Sequence, residues 1–146
     1  MTGGEPLAQQ RCLALLTALC DQGYDVSLET SGALDVSAVD ARVIKIMDIK
    51  TPGSLESAKN NFENLNYLSA QDEIKFVITN REDYEWSKAI VSQFSLDKKQ
   101  VVLFSASFGQ LAYQVLADWI LADGLNVRFQ PQLHKIIWGV EASKGK

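Results

Sequence analysis

The chain has 146 residues, of which 47% are hydrophobic and 22% charged, and its formal net charge is −4. This length and balance predict one folded domain with a sizeable core. The lack of a basic block argues against a nucleic-acid surface, and no apolar run approaches the ~18 residues that span a bilayer. No secretory leader precedes the first predicted helix, so we expect a cytoplasmic protein.

The first third of the chain holds two short polar loops. Thr2-Gly3-Gly4-Glu5-Pro6 is typical of a strand end, a tight turn and a helix start. An apolar stripe over residues 7–20 predicts the helix, and Gly23 is suited to its C-terminal end. Residues 24–28 predict a strand that leads into Glu29-Thr30-Ser31-Gly32. A glycine-lined loop before a helix, such as residues 2–6, commonly holds a polar ligand, although taken alone an ordinary βα turn explains that loop better.

The middle of the chain alternates β-rich runs with polar stretches. Residues 39–49 predict a central strand, and residues 50–54 after it form a third polar loop with turn chemistry. The polar stretch 55–70 predicts a short helix and loop over the surface. Residues 73–79 predict the next strand, and Asn80 is suited to cap the helix that follows.

The last third repeats the alternation. Residues 101–104 predict a strand, and residues 105–109 a fourth polar loop. An apolar face over residues 111–120 predicts another helix. Residues 127–129 predict a last short strand, and residues 141–146 a disordered tail.

Strands that alternate with helices predict an α/β fold with a parallel sheet and outer helices. In such sheets the loops after the strands gather at one edge and form the site. All four polar loops are of this kind, so we expect them at one ligand-binding edge. The predicted domain covers residues 1–140.

The chain has two cysteines, Cys12 and Cys20, and both fall on the first predicted helix. Eight helical residues separate them by about 12 Å, which is too far for a disulfide. Their spacing matches no cluster-binding motif. We therefore expect buried thiols packed against apolar neighbours.

Several segments, taken in order, point to one protein family. They are Thr2-Gly3-Gly4-Glu5-Pro6-Leu7, Glu29-Thr30-Ser31-Gly32, Asp48-Ile49-Lys50-Thr51-Pro52-Gly53-Ser54, Lys75-Phe76-Val77-Ile78, Phe104-Ser105, Gln132-Leu133-His134-Lys135 and Trp138. Together they resemble 7-carboxy-7-deazaguanine synthase, a radical S-adenosylmethionine (SAM) enzyme of queuosine biosynthesis, over about residues 2–139. The first segment alone would indicate only the radical SAM superfamily, whereas the third and sixth narrow the resemblance to this family.

The resemblance implies a partial radical SAM (β/α) barrel and an enzymatic activity. The implied reaction contracts 6-carboxy-5,6,7,8-tetrahydropterin to 7-carboxy-7-deazaguanine with loss of ammonia. It implies SAM, a [4Fe-4S] cluster and Mg²⁺ as cofactors, a pterin substrate and a homodimer.

The family's three cluster cysteines and its magnesium-binding threonine precede the Gly-Gly-Glu-Pro loop. We therefore expect an N-terminally shortened chain that lacks the first strand and helix. This chain would hold no metal ligand and no catalytic residue of its own, and it would be inactive alone. A second departure is Ala106, where the family more often has proline.

Residue roles follow from the same resemblance. The implied cofactor-binding residues are Gly3, Gly4, Glu5, Asp48, Ile49, Lys50, Ser105, Ala106, Ser107 and Phe108. The implied substrate-binding residues are Thr2, Glu29, Thr30, Ser31 and His134. Carbonyls and a carboxylate in the first loop suit an ammonium group, and Lys50 suits the cofactor carboxylate. Lys75 fits an inward polar position and a solvent-facing one equally well.

Two other interpretations stay open. The chain is also compatible with a non-catalytic α/β module that binds a nucleoside-like ligand. It is further compatible with a decayed fragment, whose exposed sheet edge would leave it poorly folded.

Overall fold

The computed structural model describes residues 1–142, with the backbone alone for residues 140–142. Its centre is a five-stranded sheet in which all neighbouring strands are parallel and their spatial order follows the chain. The strands are β1 (Ser27–Thr30), β2 (Ile44–Ile49), β3 (Glu73–Ile78), β4 (Val101–Ala106) and β5 (Arg128–Phe129). The predicted α/β class with a parallel sheet is confirmed.

Four α-helices accompany the sheet in the described part of the chain. They are α1 (Cys12–Asp21), α2 (Arg81–Phe94), α3 (Tyr113–Asp123) and α4 (Leu133–Ala142). None of these helices is long and apolar enough to cross a membrane. Helix α4 covers the first two positions of the predicted disordered tail, and residues 143–146 lie outside the described residues.

The connections that join β1 to β2 and β2 to β3 contain no α-helix. The chain runs from β1 to β2 through turns, and from β2 to β3 through three short 3₁₀ segments. These segments are Pro52–Ser54, Ser57–Lys59 and Phe62–Tyr67. The predicted short helix and loop over residues 55–70 therefore takes the form of 3₁₀ turns.

The first helix begins later than its apolar stripe suggested. It starts at Cys12, because Pro6–Ala8 form a separate 3₁₀ turn that the Glu5 side chain caps. It ends at Asp21, and Gly23 occupies the C′ position as predicted, where a left-handed φ of 83° lets the chain turn back on the helix.

Three strand boundaries were also wrong. Strand β2 begins at Ile44 rather than at residue 39, because residues 39–43 form turns. Strand β1 covers residues 27–30 rather than 24–28, since the Tyr24 N–H still donates to the Leu19 carbonyl at 3.1 Å and completes the helix end. Strand β4 continues through Ala106, which pairs with Ile78, so part of the predicted fourth loop belongs to the sheet.

The two faces of the sheet differ in polarity because side chains alternate along a strand. On the face towards the helices, the buried side chains include Met47, Ile74, Phe76, Ile78 and Phe104. The alternate positions form the opposite face, which bears Glu29, Asp48 and Ser105 near the carboxyl ends of their strands and Lys75 in the middle of β3. The fold therefore leaves a polar face at the edge where ligands bind in parallel sheets.

Candidate functional site

Three cavities lie side by side at the carboxyl edge of the sheet. The first, of about 240 Å³, is lined by Thr2, Gly3, Gly4, Glu29, Thr30, Ser31, Ile46, Asp48, Lys50 and Lys75. The second, of about 360 Å³, shares Thr2, Glu29 and Lys75 with the first and adds Ser105, Gln130, Pro131, Gln132, Leu133 and His134. The third, of about 320 Å³, is lined by Asp48, Ile49, Lys50, Thr51, Gly53, Ser54, Val77, Thr79, Ser107, Gln110 and Gln132. The four predicted polar loops thus meet at one edge.

The first loop is held against the start of β1 by main-chain pairing. The Met1 amino group donates to the Ser27 carbonyl, and the Glu29 N–H donates to the Met1 carbonyl at 2.9 Å. Gly3 and Gly4 follow with φ of 99° and 59°, a region that favours glycine. A methyl group built on either glycine would have open space around it, so backbone conformation is what requires glycine here.

The Glu5 carboxylate is hydrogen-bonded within the protein, and Glu5 does not line these three cavities. Its carboxylate accepts hydrogen bonds from the Thr30 hydroxyl at 2.9 Å, the Ser31 hydroxyl at 2.6 Å and the Ser31 N–H at 2.8 Å. Partial burial works against the charged form, but the hydrogen bonds from Ser31, Leu7 and Thr30 together outweigh it and lower the pKa of Glu5. Glu5 therefore ties the first loop to the end of β1.

Glu29 and Thr30 lie at the end of β1 rather than in a loop. Glu29 is exposed and accepts a 2.6 Å hydrogen bond from the Thr2 hydroxyl, which joins two predicted substrate residues. Thr30 is 3% exposed and is engaged by Glu5. Ser31 also contacts Glu5, so in this second segment Glu29 is the side chain best placed for a ligand.

The segment after β2 carries an ion pair. Lys50 Nζ lies 2.8 Å from Asp48 Oδ2, while Asp48 Oδ1 is buried with no hydrogen-bond partner in the described part of the chain. The Ile49 side chain is 3% exposed and belongs to the core. Lys50 is held by its backbone as well, because Asn60 both accepts from its N–H at 2.9 Å and donates to its carbonyl at 2.8 Å.

The predicted fourth cofactor segment divides between strand and turn. Ser105 is 1% exposed, lines the second cavity, and its Oγ finds no partner among the described residues. Ala106 is fully buried on the core face. The Ser107 hydroxyl donates to Gln110 at 2.7 Å, and the Phe108 N–H donates to Gln132 at 3.4 Å. Ser105 and Ser107 line the cavities described above, whereas Ala106 and Phe108 do not.

Three further residues at this edge were outside the predicted set. Lys75 lines the first two cavities. The sequence pattern of its strand did not decide between an inward and a solvent-facing side chain. Gln132 lines the second and third cavities next to the predicted His134. Asn60 fixes the main chain of Lys50 from a polar stretch whose pattern did not distinguish it from other surface residues.

Another hollow of about 240 Å³ lies at the opposite end of the sheet. It is lined by residues before β4 and β5 and on α2, including Ser95, Asp97, Asn126 and Lys88. Parallel α/β sheets bind their ligands at the carboxyl ends of the strands, so the polar edge is the candidate site. Sequential parallel strands with a polar carboxyl edge define the class as an α/β protein with part of a (β/α) barrel.

Comparison with known proteins identifies the family. The chain is 42% identical over 145 residues to 7-carboxy-7-deazaguanine synthase of Chlorobaculum tepidum, an alignment that covers 97% of this chain and 66% of that protein. It is 41% identical over 155 aligned positions to the protein of the same name in Koribacter versatilis, covering 97% and 69%. The chain belongs to the 7-carboxy-7-deazaguanine synthase family, which confirms the resemblance.

The chain spans about two thirds of the length of these curated relatives. Among solved structures, it is similar to the crystal structure of QueE from Escherichia coli with a TM-score of 0.69 and 21% identity, over 90% of this chain and 54% of that one. This likeness supports the partial barrel fold. No protein-family model matches the sequence.

Proposed function

We propose that this chain supplies the SAM-binding and pterin-binding edge of a 7-carboxy-7-deazaguanine synthase. The proposed reaction is the ring contraction of 6-carboxy-5,6,7,8-tetrahydropterin to 7-carboxy-7-deazaguanine with loss of ammonia, a lyase step of queuosine biosynthesis. One observation carries the proposal: in a member of this family, the polar segments that match its motifs meet around adjoining cavities at one sheet edge.

The first cavity suits the methionine end of SAM. Gly3 and Gly4 bring main-chain groups to it, and the unpartnered Asp48 Oδ1 is an acceptor for an ammonium group. The second cavity suits the pterin, because Thr2, Glu29 and His134 offer donors and acceptors to a ring rich in both. In this proposal Glu5 positions the first loop and touches neither ligand.

The described residues do not fit the iron–sulfur cluster or the magnesium ion. Cys12 and Cys20 lie eight positions apart on α1, and Cys12 is 4% exposed. Residues 1–142 hold no group of three or more His, Cys, Asp or Glu that could bind a metal ion. A cluster needs several thiolate ligands at suitable spacing, so the proposed role of this chain's residues is to bind and orient the two organic ligands. We propose that these residues alone do not complete the reaction.

Binding measurements test this proposal directly. We expect calorimetric titration of the chain to detect SAM and, separately, 6-carboxypterin, a stable pterin acid. Anaerobic treatment with iron and sulfide is expected to give no cluster absorbance. If neither ligand gives a binding heat at millimolar concentration, the proposal is refuted.

The same cavities also support a second candidate, a non-catalytic module that binds a nucleoside-like ligand. Binding of SAM without any binding of 6-carboxypterin would favour it. The third interpretation, a decayed fragment, predicts that the chain shows no cooperative unfolding transition. The cytoplasmic location and the homodimer remain part of the family-based proposal, and sedimentation equilibrium measures the oligomeric state.

A further inference from the structure

Lys75 differs from the other lysine at the candidate site. Both Lys75 and Lys50 line the first cavity, but Lys50 is paired with Asp48 at 2.8 Å. Lys75 is half-buried on β3 and forms no ion pair or side-chain hydrogen bond with any residue in the described part of the chain. A partly buried ammonium without a counter-charge favours the binding of an anionic group.

The strand register places two unsatisfied polar atoms on the same face as Lys75. Asp48 is its direct partner on β2, and Ser105 lies on β4 opposite Val77, two positions after Lys75. Asp48 Oδ1 and Ser105 Oγ are both buried and lack partners among the described residues. The Ser105 side chain is almost completely enclosed and lines the second cavity, where Lys75 lies as well. Buried polar atoms of this kind are normally hydrogen-bonded, so the two atoms favour the binding of a polar group between them.

The surrounding charges leave Lys75 available to an anion. The nearby carboxylates are Asp48, whose charge Lys50 balances, and Glu29, which accepts from the Thr2 hydroxyl. Lys75 offers three N–H donors, and the Ser105 hydroxyl offers one more on the same side. This donor set matches a carboxylate, which accepts several hydrogen bonds at once.

From this arrangement we propose that Lys75, assisted by Ser105, binds the carboxylate of the ligand and makes the site selective for acids over analogues that lack the carboxylate. The inference rests on the proposed function, because the two ligands proposed there both carry a carboxylate: the pterin acid and the amino-acid end of SAM. Lys75 acts here as a ligand-binding residue, and its charge is the feature that matters.

The test uses two pairs of probes that differ in the carboxylate. The first pair is 6-carboxypterin and pterin, and the second is SAM and decarboxylated SAM, which lacks only the carboxylate. Dissociation constants are measured by fluorescence or calorimetric titration for the wild-type chain, K75M, K75Q and K75R. K99M is the matched control, since Lys99 is exposed and lies before β4, at the far end of the sheet.

We expect K75M and K75Q to weaken one carboxylate probe by about 10- to 100-fold, the range of a hydrogen bond to a charged group. The counterpart without the carboxylate should keep its affinity within about twofold, so that the preference for the acid disappears. K75R should restore part of the preference, S105A should lower it by a smaller factor, and K99M should leave every constant unchanged. Thermal melts followed by circular dichroism report whether each variant folds.

The outcomes separate the two proposals. A loss confined to 6-carboxypterin assigns the carboxylate to the pterin, and a loss confined to SAM assigns it to the cofactor; either result supports the inference. If the wild-type chain binds the acids but both neutral variants bind them equally well, the inference about Lys75 fails and the proposed function stands. If the wild-type chain binds none of the four probes, both fail.

Discussion

Asp83 shows how a single buried carboxylate organises this site. It is fully buried, accepts from the Gly53 N–H at 2.7 Å and the Thr79 N–H at 3.0 Å, and is also hydrogen-bonded to the Thr79 hydroxyl. Asn80 caps α2 as predicted by accepting from the Asp83 N–H at 2.9 Å. The Asp83 side chain joins the segment after β2 to the end of β3. A side chain added at Gly53 would overlap Thr79 and Asp83, so this close approach requires glycine.

Removing the Asp83 carboxylate should be costly. Asp83→Ala leaves three donors without their acceptor in a partly buried region, and we expect the free energy of unfolding to fall by about 2–4 kcal/mol. Urea denaturation followed by circular dichroism measures the change. The control is Glu82→Ala on the exposed side of the same helical turn, which should change stability by less than about 1 kcal/mol. Equal effects of the two substitutions would contradict the role given to Asp83.

Glu5 should give the fold a specific dependence on pH. Its pKa is lowered in the folded state from an ordinary value of 4.5, so its contribution to stability is complete above 4.5 and is lost as pH falls through the folded value. We expect Glu5→Gln to be less stable than the wild type near neutral pH. This difference should shrink on acidification below about pH 4.5. Thermal melts from about pH 3 to pH 6, with Glu82→Gln as the exposed control, measure it. A difference that stays constant with pH would be evidence against this role.

At the scale of elements, the connection between β2 and β3 is a support for the site. Asn60 pairs with the Lys50 backbone as a neighbouring strand would. Asn64 is fully buried, accepts from the Val36 N–H at 3.2 Å and donates to the Gly32 and Leu34 carbonyls at 2.9 and 2.8 Å. Because the chain has turns here in place of a helix, side-chain amides satisfy backbone groups that a helix would satisfy itself.

This role of Asn64 can be tested within its own 3₁₀ segment. Asn64→Ala removes three hydrogen bonds and leaves buried backbone groups unpaired, so we expect a loss of about 2–4 kcal/mol in the free energy of unfolding. Asn66→Ala is the matched control, because Asn66 is exposed and donates one 3.3 Å bond to Glu63. It should cost less than about 0.5 kcal/mol. Chemical denaturation compares the two, and similar losses would show that the segment does not depend on Asn64.

At the scale of the molecule, the core divides into two clusters. The larger joins β2, β3 and β4 to α2 and α3 and contains most of the buried aromatic residues. The smaller lies between α1, β1 and the turns before β2 and consists of Cys12, Leu16, Val26, Leu28, Val36, Val39 and Val43. The smaller cluster buries less apolar surface, so the core stabilises the first loop and β1 less than it stabilises the rest of the site.

The two clusters should differ in their opening free energies. We expect backbone amides of β3 and β4 to exchange with solvent most slowly, and those of α1 and β1 to exchange faster through local opening. Leu16→Ala, which creates a cavity in the smaller cluster, should speed exchange mainly in α1 and β1. Leu116→Ala is the counterpart in the larger cluster and should speed exchange throughout. Hydrogen exchange followed by mass spectrometry or NMR measures this, and uniform protection across all strands would contradict it.

Sequence reasoning located the strands better than the site side chains. The β-rich runs around residues 44–49 and 73–78 are continuous, and every second side chain in them is buried, which leaves little choice of structure there. The boundaries at residues 7–12 and 24–27 were missed, because the Glu5 cap and the bond from Tyr24 to Leu19 are contacts that no periodicity encodes.

The order of amino acids determined the α/β class, the family and the set of polar segments that follow the strands, since alternation, turn chemistry and matching motifs are local properties of the chain. Only the tertiary structure decided which of those side chains keep polar atoms without a partner. Glu5, Thr30 and Lys50 have partners within the protein, whereas Asp48 Oδ1, Ser105 Oγ and Lys75 Nζ have none among the described residues. That distinction depends on distances between residues far apart in the chain, and these exist only once the parallel strands are in register.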